Sequence, residues 1–176
     1  MKEVISQEVI EGFLNGGDDE MYIVGVEYDY PTNTIYKIIQ DPEKGKIIKE
    51  DTFVPFLWVG DLSGLNFYGG SKALQKKKMG EFGILIEKLR TDGNNRLEEG
   101  MKYLVKSIKG YRELIQFFRD GGCDPWGEKT KDKIIILPPV EQYLISKEKR
   151  LFKGFENYDE VTRLVYDLET TSLEPQ

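Results

Sequence analysis

The sequence predicts an α+β fold, a largely antiparallel sheet with a few helices on one side of it. Strand-like alternation and turn residues dominate residues 21–59, whereas helical spacing appears later, at Tyr111, Leu114, Ile115 and Phe118. Hydrophobic residues make up 39% of the 176 residues, which is enough for a core. Strands that precede most of the helices are typical of α+β domains.

The first half of the chain predicts an antiparallel meander, because β-branched segments alternate with short runs that contain proline, glycine, asparagine or aspartate. The predicted segments are strands over 22–28 and 35–40, turns over 31–34 and 41–46, and a third extended segment over 47–59 that breaks at Pro55. Residues 1–20 precede the meander as an arm and end in a loop.

The second half mixes helices with strands. We predict helices over 71–78, 111–119 and 140–147, and strands over 84–89, 102–108 and 134–137. Gly121 and Gly122 end the second helix, and Pro138-Pro139 opens the third.

Composition excludes several classes of chemistry. The chain has no histidine, so catalytic triads and histidine-ligated zinc are excluded. Cys123 is the single cysteine, which excludes an internal disulfide and fits a reducing compartment. No apolar run is long enough to span a membrane, so we expect no membrane partner.

The net charge of −6 argues against tight binding of duplex DNA by this chain alone. Two basic clusters stand out nevertheless, Lys76-Lys77-Lys78 and the set Lys147, Lys149, Arg150 and Lys153. Both are explained either as solvated lysine faces, the simpler interpretation, or as contacts to DNA.

The strongest motif lies near the end of the chain. Residues 164–169 alternate like a strand, which places Asp167 and Glu169 on one face. Two carboxylates at this spacing suit a hard divalent cation, which prefers oxygen ligands. Thr170-Thr171-Ser172 suits the end of a strand and a turn.

The string from Asp167 to Leu173, Asp-Leu-Glu-Thr-Thr-Ser-Leu, resembles the first motif of the DEDD-type 3′–5′ exonucleases, and most closely that of family-B DNA polymerases. The resemblance implies that Asp167 and Glu169 hold Mg²⁺ or Mn²⁺ in a two-metal site of an RNase H-like domain. The further aspartate motifs of such a site would lie downstream. We therefore expect the chain to be the front of a longer protein and to bind metal weakly by itself.

The upstream order of segments also resembles archaeal and phage-type family-B polymerases. The matching features are the first two strands, the Gly45-Lys46 turn, Thr52-Phe-Val-Pro-Phe56 and the helix with Gln142-Tyr-Leu-Ile145. Archaeal members sense template uracil in an amino-terminal pocket, and Tyr28, Pro55 and Phe56 fall near matching positions. The simpler interpretation makes these three ordinary core residues. Some phage relatives bind RNA with this region.

The resemblance implies a noncatalytic amino-terminal domain over 21–158, preceded by the arm 1–20 and followed by the first exonuclease strand over 159–176. The parent would be a cytoplasmic DNA-directed DNA polymerase, a nucleotidyltransferase of DNA replication with proofreading, in a prokaryotic, archaeal or virus-infected cell. Its partners would be primer–template DNA, the downstream exonuclease and polymerase domains and a sliding clamp. This domain would help to form the template channel and would be inactive alone.

Two alternatives stay open from the sequence. One is a DEDD nuclease without a polymerase domain, truncated after a long amino-terminal extension. The other is a single-stranded nucleic-acid-binding module, in which aromatic residues of the sheet stack on bases. These residues are Tyr22, Tyr28, Tyr36, Phe53, Phe56 and Trp58.

Overall fold

The computed structural model of the chain describes residues 19–63, 65, 72–89, 100–130, 133–157 and 160–161. Within these ranges the fold is α+β, as predicted. The strands are β1 (Ile23–Asp29), β2 (Thr34–Asp41), β3 (Gly45–Thr52), β4 (Phe56–Val59), β5 (Ile84–Lys88), β6 (Tyr103–Ser107) and β7 (Ile134–Ile135). The helices are α1 (Lys72–Phe82), α2 (Tyr111–Asp120) and α3 (Pro139–Ser146), with a 3₁₀ turn at Glu128–Thr130.

The first sheet is the predicted meander. Its order is β1-β2-β3 and both pairings are antiparallel, so this prediction is confirmed. Asn33 closes the first turn at a φ of 56°, a left-handed conformation that asparagine tolerates better than most residues. The second turn is fixed by Asp41, whose Oδ1 accepts the N–H groups of Glu43 and Lys44 at 2.9 Å each.

The second sheet corrects one prediction about the chain. Its antiparallel order is β5-β6-β4-β7, so the extended segment after Thr52 does not continue the meander. The predicted break at Pro55 marks the crossing between the sheets. The Pro55 carbonyl accepts the Ser107 N–H at 3.1 Å, and β4 then pairs with β6. The described strands therefore form two sheets rather than one.

The larger core lies between the second sheet and the helices α1 and α2. It includes Leu57 and Val105 from the sheet and Leu114, Phe117 and Phe118 from α2, all essentially buried. Their spacing on α2 is the helical one that the sequence shows. α2 ends at Asp120 and is followed by Gly121 and Gly122, as predicted.

A smaller core joins the first sheet to α3. It consists of Ile35, Phe53 and Tyr143, and Tyr28 packs against both this core and the larger one. α3 begins with Pro139 in its first turn, where a missing N–H costs no helical hydrogen bond. α3 therefore lies where the two sheets meet.

Candidate nucleic-acid interface

An open groove of about 860 Å³ lies at the junction of the two sheets and α3. Six of its lining residues are mainly apolar: Phe53, Val54, Phe56, Trp58, Leu104 and Ile108. The other six are polar or basic: Thr32, Asn33, Thr52, Lys106, Ser146 and Lys147. We call this feature the inter-sheet groove. An apolar wall with a few polar groups is the usual composition of a ligand site.

One wall of the inter-sheet groove is the outer face of the second sheet. Leu57 and Val59 of β4 lie in the core, so Phe56 and Trp58 belong to the opposite face. Their rings meet edge to face, with centroids 4.8 Å apart and an interplanar angle of 87°. Opposite them on β6 stand Lys106 and Leu104. This face therefore combines an aromatic pair with a cation.

The groove also exposes apolar surface to solvent. Ile108 is 58% exposed and Val54 is 40% exposed, while Trp58 is half-buried. The Trp58 ring packs against the buried Phe56 and lines the groove with these exposed aliphatic side chains. Such a surface suits a planar ligand, because every nucleobase has a face that can stack on an aromatic ring.

The backbone of Phe56 is anchored by Gln142 of α3. The Oε1 atom of this fully buried side chain accepts the Phe56 N–H at 2.8 Å, and its Nε2 group donates to the Leu137 carbonyl at 2.7 Å. Both ends of the amide are thus satisfied, as a buried polar side chain requires. Gln142 fixes β4, and with it the aromatic pair, relative to α3.

On the opposite side, Asn33 is held by two contacts. The Tyr28 hydroxyl donates to Asn33 Oδ1 at 2.6 Å, and the side chain of Asn33 packs against Gly110. Gly110 has a φ of 131°, and a Cβ there would lie 3.4 Å from Asn33 Cβ and 3.1 Å from Glu113 Oε2. Since Tyr28 uses the oxygen of the Asn33 amide, its nitrogen is the donor that remains on this side chain.

The Tyr28 hydroxyl makes its hydrogen bonds within the fold. It accepts the Tyr111 N–H at 3.2 Å while it donates to Asn33. Burial raises the pKa of Tyr28, although the bond from Tyr111 acts in the opposite direction. Tyr28 is therefore a neutral phenol that positions the groove from below.

A second tyrosine braces the same region from α3. The Tyr143 hydroxyl donates to Asp51 Oδ2 at 2.7 Å. Burial and this carboxylate raise the pKa of Tyr143. Burial also acts to raise the pKa of Asp51, but the bonds from Tyr143 and from the Thr52 N–H outweigh it, so the pKa of Asp51 is lowered. Asp51 is thus an ionised acceptor at neutral pH.

The two lysines of the groove differ in their surroundings. Lys106 Nζ bonds both oxygens of Glu87 on β5, at 2.9 and 2.8 Å, so its charge is largely neutralised. Lys147 lies exposed at the carboxyl end of α3, where the helix dipole favours a cation. Lys147 is consequently the better placed of the two to contact a phosphate.

The predicted template-pocket residues have three different positions. Phe56 lines the inter-sheet groove, Tyr28 contacts it through Asn33, and Pro55 is fully buried at the crossing between the sheets. Asp167 and Glu169 lie outside the described residues, and so does most of the segment 159–176. Within the described ranges, no group of three or more acidic or cysteine side chains could hold a metal ion.

The predicted basic cluster at Lys76-Lys77-Lys78 contributes partly to the fold. Lys78 Nζ lies 3.2 Å from Glu81 and 3.3 Å from Asp120, and so ties α1 to α2. Lys76 and Lys77 are exposed.

Sequence reasoning missed Asn33, Lys106 and Gln142. The asparagine in the first turn was a signal for a left-handed residue, but its contact with the groove depends on Tyr28. Gln142 carries no local signal, because a glutamine inside a short helix usually faces water.

A second crevice, of about 380 Å³, lies beside the 3₁₀ turn and contains Asp61, Cys123 and Lys133. Burial raises the pKa of the Cys123 thiol, and nearby Asp124 adds to this effect. A cysteine nucleophile requires the opposite shift. This crevice therefore lacks an activated nucleophile at Cys123.

No protein family model matches the chain, and a search of the curated proteins finds no significant match. Among the described residues, no helix is long and apolar enough to cross a bilayer.

Proposed function

We propose that the described domain binds single-stranded nucleic acid in the inter-sheet groove, as the noncatalytic amino-terminal domain of a family-B DNA polymerase. One observation carries the first part of this proposal: the half-buried Trp58, packed edge to face against the buried Phe56, lines the groove together with Lys147. Aromatic stacking beside cations is how proteins bind single strands without reading their sequence.

The polymerase part of the proposal is supported by the resemblance of the string from Asp167 to Leu173 to the first DEDD motif. In the longer protein, Asp167 and Glu169 would hold Mg²⁺ or Mn²⁺ for removal of a mispaired 3′ end. The groove would guide the unpaired template strand. The net charge of −6 opposes binding to phosphates, so the domain would depend on its parent for most of its affinity.

The binding proposal is tested with a fluorescein-labelled oligothymidine and the purified chain. Trp58→Ala removes the groove indole and should weaken binding about tenfold, since stacking on one aromatic ring contributes about 1–3 kcal/mol. Trp126→Ala is the matched control, because Trp126 is 54% exposed and lies outside the groove lining. Equal loss of affinity in both variants, or no loss in either, contradicts the proposal.

Tryptophan fluorescence gives a second reading. The chain has two tryptophans, so a Trp126→Phe background leaves Trp58 as the sole reporter. A base that stacks on Trp58 should quench its emission in step with the anisotropy of the labelled strand. Binding without quenching would place the strand elsewhere on the surface.

The salt dependence tests the contribution of the lysines. For single strands the slope of log K against log salt is about −0.7 for each phosphate contacted. Because Glu87 neutralises Lys106, one lysine contact, at Lys147, predicts a slope of about −0.7, and Lys147→Gln should bring the slope close to zero. Lys44→Gln, in the exposed β2–β3 turn, is the control and should leave the slope unchanged.

The polymerase and nuclease alternatives are separated by activity and by sequence. The isolated chain should neither extend nor degrade a primer–template in Mg²⁺, and reproducible activity of pure protein would favour a nuclease. The gene sequence after Gln176 distinguishes a polymerase from a truncated DEDD nuclease by the presence or absence of polymerase motifs. A single-strand-binding module without either would bind the oligonucleotide and lack both sets of motifs.

A further inference from the structure

An exposed tyrosine stands next to the inter-sheet groove without belonging to its lining. Tyr30 lies in the turn between β1 and β2, and the same turn supplies Thr32 and Asn33 to the groove. Tyr30 is 43% exposed. The turn therefore places a second accessible aromatic ring at the end of the groove that Asn33 forms.

Tyr28 connects this second ring to the groove. The rings of Tyr28 and Tyr30 meet edge to face, with centroids 4.8 Å apart and an interplanar angle of 77°. Tyr28 meets Phe53, which lines the groove, in the same way at 5.7 Å and 78°. Tyr30 also meets Tyr111 of α2 at 6.1 Å and 72°. Contacts on two elements thus hold the Tyr30 ring in position beside the groove.

The turn that carries Tyr30 is itself braced by hydrogen bonds. Thr32 Oγ1 donates to Asp29 Oδ2 at 2.5 Å, and Asn33 Oδ1 accepts the Tyr28 hydroxyl at 2.6 Å. A ligand that stacks on Tyr30 therefore meets a ring that is already ordered, and this lowers the entropic cost of binding.

A cation lies over the same ring. The guanidinium carbon of Arg112 is 5.8 Å from the centroid of the Tyr30 ring, and Arg112 is exposed in the first turn of α2. The ion pairs found among the described residues do not include Arg112, whereas Lys106 in the groove is bonded to Glu87. A guanidinium is planar and stacks on flat rings, which an ammonium group cannot do.

Two carboxylates decide which part of a nucleotide suits this position. Asp29 lies in the same turn as Tyr30, and Glu113 follows Arg112 and acts electrostatically on Tyr28. Both oppose the approach of a phosphate. A neutral base meets no such repulsion, so the arrangement favours the base over the phosphate.

We propose that Tyr30 and Arg112 form a second base-stacking position, and that one single strand runs from Trp58 past Asn33 to this position. The inference rests on the proposed binding of single strands in the inter-sheet groove. Unpaired bases stack on aromatic rings and on guanidinium planes. The ligand is therefore a single strand long enough to reach both positions.

The test measures the binding of two labelled oligothymidines, of about three and about twelve nucleotides, by fluorescence anisotropy. Tyr30→Ala should weaken binding of the longer strand about tenfold and leave the shorter one within about twofold of wild type. Trp58→Ala should weaken binding of both strands. Tyr30→Phe keeps the ring, so it should bind both strands as wild type does.

A second variant keeps the test decisive if Tyr30→Ala folds poorly. Arg112→Gln changes an exposed helix position and should weaken binding of the longer strand about two- to fivefold. Its salt slope should equal that of wild type, because a base rather than a phosphate occupies this position. Arg119→Gln is the matched control: Arg119 lies on the same helix, 5.4 Å from the Trp126 ring, but outside the groove lining.

The outcomes separate this inference from the groove proposal. Loss of affinity in Trp58→Ala, with Tyr30→Ala and Arg112→Gln unchanged, overturns the second position and leaves the groove proposal intact. Loss in Tyr30→Ala with Trp58→Ala unchanged overturns the groove proposal and the continuous path with it. Equal losses in Arg112→Gln and Arg119→Gln would show a general effect of surface charge and would overturn the stacking position.

Discussion

At the scale of single residues, the groove depends on buried polar side chains that act through the backbone. Gln142 satisfies the Phe56 N–H and the Leu137 carbonyl with one amide. The Tyr28 hydroxyl likewise makes two bonds: it donates to Asn33 Oδ1 and accepts the Tyr111 N–H. None of these bonds is made to a ligand, yet together they fix the two sides of the groove.

Replacement of Gln142 by leucine should therefore be costly. The leucine fits the same volume but leaves the Phe56 N–H and the Leu137 carbonyl without a partner, and we expect a loss of about 3 kcal/mol in the free energy of unfolding. Urea denaturation measures it. Gln116→Leu, on the exposed side of α2, is the control and should change stability by less than about 0.5 kcal/mol. A loss below about 1 kcal/mol for Gln142→Leu would show that water or neighbouring groups replace the amide.

The pair of Asp51 and Tyr143 makes stability depend on pH. The folded pKa of Asp51 lies below its ordinary value of 3.8, so its contribution is complete above that value and is lost as the pH falls through the folded pKa. Between about pH 5 and pH 2, wild type should lose stability more steeply than Asp51→Asn. Unfolding curves across this range measure the difference. Glu50→Gln, an exposed neighbour on β3, should retain the wild-type slope.

At the scale of elements, local patterns predicted most strands and helices but not their assembly. The meander, β5, β6, α2 and α3 follow from alternation, helical spacing and turn residues, which are local signals. The assignment of β4 to the second sheet depends on β6 and Gln142, about 47 and 86 residues away along the chain. From the sequence alone, Lys37 would be expected to be exposed. In the structure its side chain is buried, and its ammonium group pairs with Glu20 and Asp51.

At the end of β4, the backbone of Gly60 lies very close to the backbone of Gly100. A substitution at Gly60 therefore tests how this close contact affects stability. Gly60 donates its N–H to the Lys133 carbonyl at 2.8 Å, and a Cβ at this position would lie inside contact distance of the Gly100 carbonyl oxygen. Gly60→Ala should therefore lower the free energy of unfolding by about 2 kcal/mol. Thermal and urea denaturation provide the measurement.

A second glycine, Gly80, should show a change in stability of the opposite sign when it is replaced by alanine. Gly80 lies within α1, and a Cβ there would meet no atom within 4 Å. Gly80→Ala should raise stability by about 0.5–1 kcal/mol, because alanine loses less backbone freedom in a helix. If both alanine variants shifted stability in the same direction, the close approach at Gly60 would not be the cause.

At the scale of the whole molecule, the inter-sheet groove could not be read from the sequence as a unit. Its walls come from the first turn, β4, β6 and the end of α3, which no spacing rule connects. Phe56 was predicted for the template pocket, and Trp58 was counted among the stacking aromatics. What brings them together with Lys106 and Lys147 is the sheet crossing at Pro55. The metal-site prediction at Asp167 and Glu169 had a local signal and stays a prediction.

That remaining prediction concerns the longer protein that we propose. The alternation of residues 164–169 in the sequence predicts that Asp167 and Glu169 share one strand face, from which both would hold the same pair of metal ions. In the proposed site, loss of either ligand would remove charge stabilisation at the scissile phosphate. We expect Asp167→Ala or Glu169→Ala to slow removal of a mispaired primer end by about a hundredfold or more and to leave DNA synthesis largely intact.

Primer-degradation and primer-extension assays on the same preparation measure both activities. Glu174→Ala lies past the motif and should keep its nuclease activity. Two like charges held close together without their metal repel each other, so the Asp167 and Glu169 variants should be no less stable than wild type in a metal chelator. Wild-type degradation by Asp167→Ala would contradict the metal assignment. Parallel loss of synthesis would instead show that these carboxylates support the fold rather than one active site.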